Sequence, residues 1–152
     1  MTKHKPKIII VGAGLSGLTL ALSLAQSNFD IVVLEQASQL SEVGAGIQIS
    51  ANGARVLHLL GLESELAKVA FRPEQGEMRH WKTGATLISR PLGKTSVERF
   101  GFPYYHMHRY DFHRLLETAT RAAAPNAIRL QARVDTIKQN DRGVSAVLTS
   151  GD

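Results

Sequence analysis

Three glycines within six residues, Gly12-Ala13-Gly14-Leu15-Ser16-Gly17, constrain this chain more than any other stretch. Before them stands Ile8-Ile9-Ile10-Val11, a β-branched run suited to a buried strand. After them Leu15, Leu18, Leu22 and Ala25 recur at helical spacing. The order that follows is strand, tight turn, helix. A competing interpretation exists, because Ile8 to Ala25 carries no charge and Lys3, Lys5 and Lys7 surround its start. That pattern also suits a membrane span or a secretion signal. The continuation decides against both. Asp30-Ile31-Val32-Val33-Leu34-Glu35 reads as a second strand ending in an acid, and Glu35 lies 18 residues beyond Gly17. A ribose-binding carboxylate is expected about 20 residues after such a turn.

Each residue then has a physical task. Gly12 permits the tight turn, Gly14 lets the backbone approach a diphosphate, and Gly17 lets the helix pack closely. The helix starts near Leu15, so its unbonded N–H groups and positive dipole end face the phosphates. Glu35 accepts hydrogen bonds from ribose hydroxyls and repels a 2′-phosphate, which disfavours NADP at this position. The glycines alone would also suit a plain tight turn. Ser16 is not a nucleophile elbow, because that motif needs glycine two residues on and position 18 is leucine.

Composition limits the alternatives. Cysteine is absent, which excludes disulfides, thiolate metal sites and cysteine nucleophiles, and fits a reducing, cytoplasmic setting. The net charge of +5 invites a nucleic-acid partner, but the basic residues are scattered and no recognition pattern accompanies them. Neither nucleic acid nor membrane is an expected partner. The 152 residues suffice for one domain with a core.

The turn does not distinguish NAD from FAD, since both carry ADP. Further on, Glu42-Val43-Gly44-Ala45-Gly46-Ile47-Gln48-Ile49 is a second glycine-rich stretch, followed by a helix over Asn52–Leu60. Gly44 and Gly46 suit a close backbone approach or an ordinary loop. Here a resemblance becomes specific. "VGAGLSGLTLALSLAQ", "VVLEQA", "VGAGIQISANGARVLHLLGL" and "HMHRYDFHRLL" occur in this order. Together they resemble the N-terminal part of the flavoprotein aromatic-ring monooxygenases, the salicylate hydroxylase-like group. The likeness is clearest over residues 7–62 and 105–116.

The resemblance implies an α/β fold, a Rossmann-like FAD-binding βαβ domain with an added β-hairpin and small-sheet region. It implies that Gly12, Ala13, Gly14, Leu15, Ser16 and Gly17 hold the ADP of FAD. Glu35, with Gln36 beside it, binds the adenosine ribose, and the strand near Val134 lies beside the adenine. Gly46 and Ile47 lie on the flavin side, and Arg109 contacts FAD. It further implies NAD(P)H as co-substrate, O2 as oxidant and a small aromatic ring as the compound hydroxylated. A non-catalytic nucleotide-binding module and another FAD-dependent oxidoreductase are the alternatives. In the family a later strand, an Asp-Gly motif and a Gly-Asp motif complete the cofactor site, so an incomplete FAD-binding domain is expected. That would leave the Ile8–Val11 strand with an unpaired edge, open to self-association.

The remaining expectations are local. Three segments are expected: residues 7–62 with both glycine-rich stretches, 75–103 as the start of a substrate-side sheet, and 104–149 as strand, helix and hairpin. Glu63–Val69 reads as a short helix, and Glu77–Leu92 as a hairpin turning at Lys82-Thr83-Gly84. For Trp81, ordinary packing is expected over lining a site. Gly93–Phe102 reads as a mobile connection. Tyr104–His108 reads as a strand and Tyr110–Ala123 as a helix, with Arg109 at its entrance. A cation there opposes the helix dipole unless an anion binds. Ile128–Lys138 and Val144–Thr149 read as a strand pair joined at Asn140-Asp141-Arg142-Gly143. His106 and His108 share a strand face near His113, but no acid stands at ligand spacing, so no metal is expected. No residue qualifies as a catalytic acid or base.

Overall fold

The structure, a computed structural model, describes residues 6–40, 44–141 and 143–151. Lys3 and Lys5, Glu42 and Val43 of the second glycine-rich stretch, and Arg142 of the hairpin turn lie outside the described residues. Along the chain come β1 (Lys7–Val11), α1 (Leu15–Gln26), β2 (Asp30–Leu34), β3 (Gly46–Ile49), α2 (Ala51–Leu59), α3 (Glu63–Val69), β4 (Ala70–Phe71) and β5 (Gln75–Arg79). Then follow β6 (Thr86–Pro91), α4 (Gly93–Phe100), β7 (Tyr105–His108), α5 (Arg109–Ala123), β8 (Ile128–Arg129), β9 (Val134–Asn140) and β10 (Gly143–Leu148). Two compact units divide them, Met1–Glu42 with His113–Asp152, and Val43–Phe112.

In the first unit β1, β2 and β8 form a parallel sheet in the order β1-β2-β8, with Ile10 opposite Val33 and Ile9 opposite Val32. Strand alternation sends Ile10, Ile31 and Val33, all buried, toward one face. Leu18, Ala21 and Leu22 of α1 are buried with them. Each such aliphatic side chain contributes roughly 1.5–3 kcal/mol on burial. Thr120 of α5 is fully buried, and its hydroxyl donates to the Leu18 carbonyl at 3.2 Å. On the other face Leu34 packs with Ala132 and Leu148, flanked by Ile9, Val32, Val134 and Ala146. The antiparallel hairpin β9–β10 supplies that cover.

The strand expected over Ile128–Lys138 is two strands. β8 joins β2 in the parallel sheet, whereas β9 starts at Val134 and pairs with β10. The break is local: Gln131 adopts φ 55, and the amides of Gln131 and Ala132 donate to the carbonyls of Ala37 and Glu35. The left-handed residue turns the chain off the sheet into the hairpin.

In the second unit β7 is the middle strand of the antiparallel sheet β3-β7-β4, and β5 pairs with β6. Gly93–Phe102, expected as a mobile connection, holds the helix α4. Lys94 and Glu98 pair at 3.4 Å one turn apart, the buried Ser96 hydroxyl donates to the Phe102 carbonyl, and Gly101 closes the helix at φ 77. Left-handed glycine is the common helix stop. Trp81 departs from expectation too: it is 88% exposed at the hairpin tip, stacked on His80. Among the described residues no helix is long and apolar enough to cross a membrane, and α1 has 12 residues.

The start of α1 depends on one contact. A methyl group on Gly17 would overlap the Gly12 carbonyl oxygen, a backbone atom with little freedom to yield. Helix propensity alone would favour alanine at position 17 by about 1 kcal/mol. The clash opposes it, and overpacking costs about 1–3 kcal/mol. Gly17→Ala should therefore lower stability in urea unfolding, and a more stable variant would contradict the contact.

Candidate functional site

The site builds outward from Ala13, which is 1% exposed. Gly12, at φ 96, reverses the chain direction after β1, and its amide donates to the Leu34 carbonyl at 2.8 Å. The Ala13 amide donates to Glu35 Oε2 at 2.7 Å, and Ala37 donates to Oε1 of the same carboxylate at 2.9 Å. The Ala13 carbonyl lies 2.7 Å from Nε2 of the buried His113 on α5. The first intrahelical bond of α1 runs from the Leu18 amide to the Gly14 carbonyl. The amides of Gly14, Leu15, Ser16 and Gly17 precede it, so the helix offers them no acceptor. Gly14, the N-cap, provides no side-chain cap either.

Gly14 shows what this arrangement suits. Its φ of −71 is open to any residue, and a Cβ there would meet nothing within 4 Å. Neither conformation nor packing asks for glycine. Amides left without a helical acceptor at a helix start, with a carboxylate alongside, fit a diphosphate linked to a ribose. Glu35 retains a lone pair on each oxygen after its two backbone bonds.

Gly12, Glu35, Gln36 and Val134 line one open cleft of about 320 Å³, together with Ala132 and Arg133. The break after β8 places Arg133 there, so its position could not be read from an unbroken strand. A larger cavity of about 600 Å³ opens on the hairpin side of the same unit, with Lys7, Phe29 and Arg129 at its wall. None of the glycine turn lines it.

Gly46, Ile47 and Arg109 belong to the second unit. Gly46 pairs with His108 and Ile47 with Met107 across β3 and β7. Arg109 is the first residue of α5, and its amide donates to the Ala45 carbonyl at 3.2 Å. Its aliphatic stem fills the place where Gly44 lacks a side chain: a Cβ on Gly44 would stand 2.9 Å from the Arg109 Cδ. Of the histidines weighed above, His113 turns to Ala13, and His108 Nδ1 accepts from the Tyr110 amide at 3.3 Å. Nothing in the sequence points to His113 as a partner of the glycine turn a hundred residues earlier.

A family model described as an FAD binding domain matches residues 5–152. The chain belongs to that family. FAD is the family's cofactor, and the donor set around Ala13 fits its ADP half. Among the relatives, a 3-amino-4-hydroxybenzoate 2-monooxygenase of Streptomyces cremeus is 46% identical over 135 residues, covering 89% of this chain and 34% of the relative. A 6-hydroxynicotinate 3-monooxygenase of Pseudomonas fluorescens is 37% identical over 149 residues, covering 98% and 37%. The structure of Klebsiella pneumoniae HpxO complexed with FAD and uric acid superposes with a TM-score of 0.80 at 24% identity, covering 100% of this chain and 37% of that one. That likeness supports the fold. The chain spans about a third of the length of the curated relatives it matches.

Because Gly14 has room and ordinary dihedrals, Gly14→Ala should fold with a stability change within about 1 kcal/mol, the scale of an N-cap exchange. Its methyl group would stand where a diphosphate approaches. ADP affinity measured by calorimetry should fall at least tenfold. Unchanged affinity would separate Gly14 from any nucleotide.

Proposed function

We propose that this chain holds the ADP part of FAD in a monooxygenase that hydroxylates a small aromatic ring, with NAD(P)H as reductant and O2 as oxidant, in the cytoplasm. The observation that carries this reading is the run of amides from Gly14 to Gly17 that the helix leaves without an acceptor, beside the Glu35 carboxylate. In this reading the turn Gly12, Ala13, Gly14, Leu15, Ser16 and Gly17 binds the diphosphate. Glu35 and Gln36 meet the ribose, and Val134 flanks the adenine. For Gly46, Ile47 and Arg109, a place on the flavin side rests on family likeness. The names of the relatives, monooxygenases of 3-amino-4-hydroxybenzoate and of 6-hydroxynicotinate, support an aromatic substrate. Bound FAD supplies the redox chemistry, while the chain's own residues bind and orient it.

The test compares ligands. ADP should bind at least tenfold more tightly than its 2′-phosphorylated counterpart, because Glu35 repels the added phosphate. Glu35→Gln should narrow that gap. Equal affinities in the wild type would remove Glu35 from the ribose. Flavin binding without NAD(P)H consumption in the presence of a hydroxybenzoate would favour a binding module without turnover.

Self-association through β1 is also proposed. β1 ends the order β1-β2-β8, so among the described residues no strand covers its outer side, and Val11 is 56% exposed. Exposed apolar edges invite pairing with another chain. Sedimentation velocity should show mass rising with concentration across the micromolar range. A constant monomer mass would count against the edge as an interface.

A further inference from the structure

His113 is 3% exposed, an unusual degree of burial for an imidazole on a helix, and its Nε2 lies 2.7 Å from the Ala13 carbonyl oxygen. A carbonyl only accepts, so Nε2 carries the proton and donates. The bond reaches from α5 to the middle of the glycine turn, across 100 residues of sequence.

A planar trans peptide turns this into a statement about Gly14. No cis peptide bond occurs among the described residues. In a trans unit the N–H of Gly14 points opposite to the C=O of Ala13. Holding that carbonyl toward His113 therefore aims the Gly14 amide away from the interior. The preceding peptide is held as well, because the Ala13 amide donates to Glu35 at 2.7 Å. Without the His113 bond the Ala13–Gly14 unit is free to rotate about its flanking dihedrals. Gly14 tolerates that rotation more than any other residue type would.

We infer that His113 is a positioning residue: by donating to the Ala13 carbonyl it fixes the direction in which the Gly14 amide meets a diphosphate. This rests on the cofactor reading above. His113 touches no ligand itself. It acts by removing the freedom of one peptide unit before binding, so that ligand affinity is not spent on ordering it.

Calorimetry with ADP and with adenosine, on the wild type, His113→Leu and His113→Gln, tests the inference. Glutamine places an N–H donor close to the position of Nε2, and leucine removes it. His113→Leu should weaken ADP at least tenfold and change adenosine less than twofold. His113→Gln should recover ADP affinity to within about threefold of wild type. A merely structural role would weaken both ligands together and would not be relieved by glutamine. Should the leucine variant fail to fold, His113→Asn, which retracts the donor, is expected to give the same split between the two ligands. Wild-type affinity for ADP in the donor-less variant overturns the inference and leaves the cofactor reading standing. A wild-type protein that binds adenosine and ADP equally overturns the diphosphate reading, and the inference with it.

Discussion

The Glu35 carboxylate joins parts of the chain that strand pairing alone leaves loosely related. One oxygen accepts from Ala13, in the turn after β1, and the other from Ala37, just beyond β2. β1 and β2 are already paired in parallel, with Val11 opposite Leu34 at their ends. Parallel pairing fixes the strands but not the turn that leaves them. Two backbone hydrogen bonds to the Glu35 carboxylate, one to each oxygen, do fix it. The acid thus builds the turn as well as flanking the proposed ribose position. Removing it would disturb both, so a loss of binding on full truncation would not separate the two roles.

The three glycines of the turn are required for three different reasons, and the difference is informative. Gly12 has a backbone angle that other residues rarely adopt, at φ 96. Gly17 has an ordinary angle but no space, since the Gly12 carbonyl occupies the place of a side chain. Gly14 has both an ordinary angle and space. The first two are explained by the fold. The third is explained by something outside the chain that needs the same space. Spacing in the sequence groups the three together, and only coordinates separate the two structural glycines from the one that points to a ligand.

Most of the first unit was legible because its signals are local. A β-branched run, glycines and leucines at helical spacing define strand, turn and helix without reference to the rest of the chain. α4 was missed because Gly93 and Gly101 bracket a short polar stretch whose stabilising contacts are an exposed ion pair and one buried serine, neither of them a periodic apolar signal. The strand over Ile128–Lys138 was read as continuous because nothing in Leu130-Gln131-Ala132-Arg133 announces a left-handed residue. The acceptors that hold that break, the carbonyls of Glu35 and Ala37, lie almost a hundred residues away. The tie between His113 and Ala13 is hidden for the same reason. Trp81 departs from expectation because large aromatics are usually buried, whereas this one stands at the tip of a two-stranded hairpin.

Polar groups sort into those the fold has satisfied and those it has left open, and this bears on where chemistry belongs. The second unit contains a conspicuous cluster around the fully buried Tyr105. Its hydroxyl meets His58 Nε2 at 2.9 Å and Arg72 at 3.2 Å, and His58 Nδ1 lies 3.6 Å from Glu63. Histidine, arginine, tyrosine and glutamate together resemble a reaction centre by composition. Yet each is spoken for by another member, and the cluster ties α2, α3 and β7 together around a buried ring. A network anchored on one buried hydroxyl in this way holds packed elements together. The glycine turn is the reverse case. The Gly12 and Ala13 amides and the Ala13 carbonyl are all bonded, while the amides of Gly14, Leu15, Ser16 and Gly17 find no acceptor in the helix. A turn that bonds those three groups and leaves the first amides of its helix without an acceptor has room for an anion there, and that asymmetry marks the site more firmly than the abundance of reactive side chains elsewhere.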